Sequence, residues 1–182
     1  MPDLVGPKTL YIGFCGAIDS AAVTKIAGAF NQAVNDQFDA VHLTLSSPGG
    51  AASDGVFLHY HIRSLPIHTI IHNQGMIASV ATTIYAAADR RTACRDSIFQ
   101  IHPISMQANG YHASLKSAID LTEAEEARID AILAERTAIP QEVMRQRRSS
   151  DIFFTADKAL NYGLAHELCT FTLPPGNQIF QL

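Results

Sequence analysis

Charge is scarce in this chain and cysteine scarcer. Only 16% of the 182 residues are charged, and 13 Lys and Arg stand against 17 Asp and Glu, a net charge of −4. That balance leaves no basic face for nucleic acid or anionic lipid. Cys15, Cys94 and Cys169 lie far apart with no CxxC pair. An odd, scattered set excludes a disulfide framework and reads as small buried apolar residues in a reducing compartment. No apolar run approaches the roughly 18 residues a membrane-spanning helix needs. Met1 to Pro7 lacks a basic n-region and an apolar h-region, so no signal peptide is expected and the expected location is cytoplasmic. There is no GxxxxGK[ST] or GxGxxG, which argues against nucleotide. Around His59, His61, His68 and His72 no cysteine or carboxylate falls at zinc-like spacing, so they read as satisfied or surface histidines. Neither metal nor cofactor is called for. Arg90-Arg91 and the run from Arg145 to Arg148 read as solvated faces or interface charges.

What is present is apolar residue, at 47%. It suffices for one well-buried core, and the expectation is a single domain over residues 1–182. Low charge with a slightly positive mean hydropathy also leaves room for apolar surface buried between subunits. Leu10 to Phe14 reads as a strand closed by Gly16, followed by a helix capped by Ser20, with Val23, Ile26, Ala27, Phe30 and Val34 at helical spacing. Ala40 to Leu45 is the next strand, ending in Ser46-Ser47-Pro48-Gly49-Gly50. A helix over Ser53 to Ser64 stops before Pro66. A strand up to His72, a turn at Ser79, a helix from Val80 to Ala88 and a strand from Ser97 to Ile101 follow. This alternation argues for an α/β fold with a largely parallel sheet. Ala113 to Thr137 is one long helix that would reach beyond a compact domain. Gln141 to Arg147 and a helix capped by Thr155 and stopped at Gly163 complete the reading, and the tail around Pro174-Pro175-Gly176 reads as loop.

Ser79 follows a strand and precedes a helix, where free N–H groups and the helix dipole favour negative charge. It reads either as an N-cap or as a nucleophile with stabilised oxyanion chemistry beside it. A nucleophilic serine needs a base and a group orienting that base. His102 ends a strand before Pro103 and is the candidate base. Gly49-Gly50 also follow a strand, and two glycines let backbone approach a ligand. Gly50 N–H and Val80 N–H are the candidate oxyanion pair. Asp151, between the polar Arg145 to Ser150 stretch and Ile152-Phe153-Phe154, is the candidate orienter, expected half-buried.

Leu45 to Gly50, Gly75 to Ser79, Ile101-His102-Pro103, and Asp151 to Ala156 with Tyr162-Gly163-Leu164 resemble, in order, four motifs of one family. These are the "NSPGG", "GxAAS", "MIHQP" and "DRFLSAxEAxEYGLVD" segments of the proteolytic subunit of the Clp protease (ClpP), serine peptidases of the crotonase-like clan. The resemblance runs from about Leu10 to Leu168. It implies a crotonase-like (ClpP) fold with Ser79 as nucleophile, His102 as general base, Asp151 as its orienter, and Gly50 and Val80 as oxyanion donors. It also implies a homo-oligomeric ring, heptamer or double heptamer, in which the 113–137 helix is a protruding handle. The implied substrates are peptides or unfolded proteins, hydrolysed inside the chamber.

The chain also departs from the family. Ile104 to Ala108 replaces its Gly-rich segment after the histidine, and Ser150 stands where an arginine usually precedes the aspartate. The family's pore-lining N-terminal segment is expected to have no counterpart before the first core strand. The apolar pocket in which the family docks its AAA+ Clp ATPase corresponds here to His42, Thr44, Ser64, His72 and Gln74. Burying unpaired polar groups costs on the order of 1–3 kcal/mol each. The expectation is therefore a peptidase that works without the usual unfoldase or docks it differently. The alternative class is a crotonase-like scaffold, inert or acting on acyl-CoA, which would want a carboxylate acid/base and a CoA pocket and needs neither His102 nor Asp151.

Overall fold

The computed structural model describes residues 8–182, so the Met1 to Pro7 reading lies outside the described residues. In chain order the elements are β1 (Thr9–Cys15), α1 (Ser20–Asn35), β2 (Ala40–Ser47), α2 (Ala52–Ser64), β3 (His68–Ala78), α3 (Ala81–Ala87), β4 (Arg90–Ala93), β5 (Ile98–Ile101), α4 (His112–Arg136), α5 (Gln141–Gln146), β6 (Ile152–Thr155), α6 (Ala156–Asn161), β7 (Glu167–Leu168) and β8 (Ile179–Gln181). The sheet runs β6-β5-β3-β2-β1-β8, with β4 beside β3 and β7 beside β4. Every pairing is parallel except β5 with β6. Helix α1 buries Ala22, Ile26, Phe30 and Ala33, one stripe at helical spacing. Its cap is Asp19, whose Oδ1 accepts from Ala22 N at 2.8 Å; Ser20 is the first helical residue rather than the cap. A carboxylate there also meets the positive end of the helix.

Strand β3 does not end near His72. It continues to Ala78, because the polar stretch is paired rather than free. Asn73 is buried, its Nδ2 donating to Ile98 O at 3.1 Å and its Oδ1 accepting from Gly75 N at 3.0 Å. On one edge β3 pairs first with β4, Ile70 to Asn73 against Arg90 to Ala93, and then with β5, Met76 to Ala78 against Ile98 to Gln100. On the other edge it stays with β2, although the register jumps from Leu45↔Asn73 to Ser47↔Ile77. That bulge lets one long strand serve two shorter neighbours.

The Arg90-Arg91 pair is a solvated face in one member only: Arg90 is exposed and pairs with Glu167. Both residues lie in β4, and Arg91 is only 3% exposed. Its guanidinium donates to Leu164 O at 2.8 Å, Gly163 O at 3.0 Å and Arg136 O at 2.8 Å, with longer contacts to Ala86 O and Ala88 O. These carbonyls sit around the C-terminal ends of α3, α4 and α6, where helix dipoles favour a cation. Burial still brings its pKa down to about 10, with Arg136 nearby adding to the effect. Two further expectations change. The tail beyond Pro174 returns as β8 and pairs in parallel with β1. The cysteines are not core residues: Cys15 is exposed, and Cys94 and Cys169 are half-buried.

Burial also sets the pH response. Desolvation lowers the pKa values of His42, His59, His72 and His166, that of His42 from 6.5 to about 4 with help from His72 and Arg90. A histidine kept neutral in the fold takes a proton more readily once unfolded. Stability from this source is therefore intact above about pH 6.5 and lost as pH falls toward about 4. Thermal melts across that window should show Tm falling with acidification, and His42→Gln should make the fall shallower.

Candidate active site

Strands β2, β3 and β5 are neighbours and parallel, so their C-terminal ends bring Pro48 to Gly50, Ser79 and His102 to one edge. In open α/β sheets that edge is where ligands bind. Ser79 has φ of +55°, a left-handed conformation costing a non-glycine residue about 1–2 kcal/mol. Bonds on both sides hold it there. Its N–H donates to Gln100 O at 2.9 Å, and its carbonyl accepts from Thr82 N at 3.0 Å and Thr82 Oγ1 at 2.6 Å. The N-cap reading does not survive: α3 is capped at Val80 without any side-chain bond, and Ser79 Oγ makes no hydrogen bond among the described residues.

The glycine pair is explained by close approach. A Cβ on Gly49 (φ +92°) would lie 2.5 Å from Ser79 Cβ, and one on Gly50 would lie 2.1 Å from Ile18 O. Ile18 pins the loop through Ile18 N to Gly49 O at 2.8 Å and Ala51 N to Ile18 O at 2.9 Å. That pattern leaves Gly50 N–H uncommitted. Among the described residues Val80 N–H has no acceptor either. Gly50, Ser79, Val80 and His102 line one cavity of about 320 Å³, together with Pro48 and Ile104.

His102 Nδ1 lies 2.7 Å from Pro103 O. A carbonyl only accepts, so Nδ1 is the donor here, and in the neutral ring that tautomer leaves Nε2 as the acceptor. No hydrogen bond joins His102 to Ser79 or to Asp151 among the described residues. β5 and β6 are antiparallel with Ile101↔Ile152 as the end pair, so His102 and Asp151 are the residues that immediately follow and precede that pair. The Asp151 carboxylate turns diagonally instead, accepting from Gln100 Nε2 at 3.3 Å, and the residue is exposed rather than half-buried.

Sequence reasoning missed the ion cluster behind His102. Arg147 is 1% exposed and donates to His102 O at 2.8 Å and to Asp130 Oδ1 at 2.9 Å, and it pairs with Glu126. Glu126 Oε1 accepts from Ile104 N, while Asp130 also holds Arg148 at 2.8 Å. Glu126 of α4 and Arg147, just past α5, thus hold the chain on both sides of Pro103, with Asp130 anchoring Arg147. The signal available was spacing: Glu126 and Asp130 are four apart and flank the buried Ile129. The docking-pocket positions also divide. His42 and His72 line one pocket of about 260 Å³ with Phe171; Thr44 and Gln74 line another with Phe14; Ser64 belongs to neither and bonds His61 O.

The fold is that of a ClpP-like peptidase. The family model described as Clp protease matches residues 8–171, and the chain belongs to that family. It is 26% identical over 159 residues to the ATP-dependent Clp protease proteolytic subunit 2 of Pseudomonas aeruginosa, covering 84% of this chain and 77% of that protein. It is 24% identical over 166 residues to proteolytic subunit 3 of Rhizobium etli, covering 90% and 85%. A solved structure, that of a point mutant of ClpP1 from Listeria monocytogenes, superposes with a TM-score of 0.74 at 22% identity, covering 89% of this chain and 91% of that one.

Removing Arg147 strands Glu126 in a buried site, whereas Arg148 is half exposed. Arg147→Ala should lose about 3–5 kcal/mol in denaturant unfolding and Arg148→Ala under about 1 kcal/mol.

Proposed function

We propose that this chain is a serine endopeptidase that cleaves peptides or unfolded proteins with Ser79, His102 and Asp151. The observation that carries the reading is Ser79 in a strained left-handed turn, its hydroxyl unbonded, on one cavity with His102 and two uncommitted N–H groups. His102 Nε2 takes the Ser79 Oγ proton as the oxygen attacks the scissile carbonyl. Gly50 N–H and Val80 N–H receive the oxyanion. The imidazolium then protonates the leaving amine, and water, deprotonated by the same Nε2, releases the acyl group. Pro103 O already selects the tautomer required, but a neutral carbonyl stabilises an imidazolium less than a carboxylate does. His102 and Asp151 flank the Ile101↔Ile152 end of the β5–β6 pair, which supports an exchange of Pro103 O for the Asp151 carboxylate by side-chain rotation.

Assembly into a closed homo-oligomer, a heptameric ring or two, is part of the proposal. Helix α4 has 25 residues, about 37 Å. Only its C-terminal half is buried, while Tyr111, Leu115, Ile119 and Leu121 leave apolar surface open in the other half. The cytoplasm is the proposed location; among the described residues no helix is long and apolar enough to cross a membrane. His42 and His72 give the candidate docking pocket polar walls, which supports action without the usual AAA+ unfoldase. The acyl-CoA alternative lacks support, since no carboxylate lines the Ser79 cavity among the described residues.

A fluorophosphonate probe should label the assembled protein at Ser79. Ser79→Ala should abolish labelling and cut peptide hydrolysis by about 10⁶-fold, and Asp151→Asn should cut hydrolysis by about 10⁴-fold. Labelling that survives Ser79→Ala, or none in the assembled protein, overturns the reading. ATP-stimulated degradation of a folded substrate with a Clp ATPase would overturn the independence from an unfoldase.

A further inference from the structure

A second nucleophile–base pair lies on the sheet away from Ser79. The β3–β4 register sets His72 opposite Thr92, and alternation along β4 puts Cys94 on the same face as Thr92. His72 Nδ1 is 2.8 Å from Thr92 Oγ1, and His72 Nε2 is 3.2 Å from Cys94 Sγ. The imidazole is held at both nitrogens between a hydroxyl and a thiol. With the Nδ1 proton given to Thr92 Oγ1, Nε2 is the base for the thiol, the arrangement that activates a cysteine. His72 is fully buried, while Cys94 is half-buried. The proton acceptor is thus the more deeply buried of the two. Burial holds His72 below its ordinary pKa.

A second cysteine stands beside the first. β4 and β7 are parallel with Thr92↔Glu167 and Ala93↔Leu168, and Cys169 N donates to Ala93 O at 2.9 Å. The ladder's next step sets Cys94 against Cys169, with side chains on one face. Neighbouring strands lie about 4.8 Å apart, within the roughly 4.4–6.8 Å Cα span of a disulfide. Cys169 is half-buried and lines the pocket that holds His42, His72 and Phe171.

We propose that Cys94 and Cys169 form a peroxide-reactive dithiol, with His72 as the base for Cys94 and Thr92 as its orienter. Cys94 Sγ attacks hydrogen peroxide. The S–O bond forms and the O–O bond breaks, while the thiol proton passes to His72 Nε2 and on to the leaving hydroxide as water. The sulfur is oxidised to a sulfenic acid and the peroxide reduced. Cys169 Sγ then attacks that sulfur, expelling the hydroxyl with the Cys169 proton as a second water and leaving a Cys94–Cys169 disulfide. A thiol reductant such as glutathione reverses it. The bond would tie the end of β4 to the segment carrying Phe171, and so fix the wall of the His42–His72 pocket.

The test treats the full-length protein with a few equivalents of hydrogen peroxide and maps the cysteines by peptide mass spectrometry. A Cys94–Cys169 link is expected, with Cys15 left reduced although it is exposed. In Cys169→Ser, dimedone should trap a sulfenic acid at Cys94. In His72→Gln, the rate of Cys94 oxidation should fall about 10²-fold, the usual worth of a positioned base. Should His72→Gln fail to fold, Thr92→Val tests the orienter, and the Cys94:Cys15 ratio of iodoacetamide alkylation in the unaltered protein tests activation without any substitution. Cys15 reacting as fast as Cys94, a Cys94 sulfenic acid persisting in the unaltered protein without the Cys169 link, or full Cys94 reactivity in folded His72→Gln would each overturn the assignment.

Discussion

The arrangement of this molecule depends on β3 running on for eleven residues, with β2 on one edge and β4 and then β5 on the other. A strand that stopped at His72, where its apolar run ends, would leave Ser79 on a loop without fixed direction. Instead Asn73 satisfies its own polar groups inside the sheet, the β2 register absorbs a bulge, and β5 takes over from β4. Ser79 N then bonds to Gln100 O as if the ladder went on. That bond and the two from Thr82 force the serine backbone into its turn. The loop after β2 must come within contact of the same residue, which is why two glycines stand there.

Much of this was legible in the sequence, for identifiable reasons. Strand and helix alternation, the glycines at the end of β2, and the histidine before a proline are local signals, and each falls where expected. Arg91 and Arg147 were illegible because local context says only that they are charged. What allows their burial is distant: the carbonyl ends of three helices for Arg91, and Glu126, Asp130 and the His102 carbonyl for Arg147. Strand β4 was hidden for the same reason, since two adjacent arginines mask a pattern that has one side chain in and one out. Asp151 marks a different limit. Its neighbours predict a half-buried carboxylate, whereas the side chain is exposed and accepts from Gln100 across the strand pair, a contact no local pattern shows.

The His102 region therefore combines a rigid backbone with mobile side-chain choices. The buried arginine and two carboxylates of α4 fix Pro103 and its flanks from behind. In front, His102 and Asp151 each accept a substitute partner within one residue or one diagonal. On the proposed reading the two arrangements differ by rotation about side-chain bonds, so whichever contacts bias those rotamers bias the proportion of aligned sites. The half-bare helix α4 also supplies Glu126 and Asp130, so on that same reading assembly and alignment would fall on one rigid element.

The left-handed backbone at position 79 carries an evolutionary corollary. Glycine adopts that geometry freely, so Ser79→Gly would relieve local strain worth about 1 kcal/mol. Thermodynamics alone would thus favour losing the hydroxyl. A lineage that ceased to need an alcohol at this spot would drift toward glycine and become more robust, whereas keeping serine means tolerating a small, permanent handicap in folding.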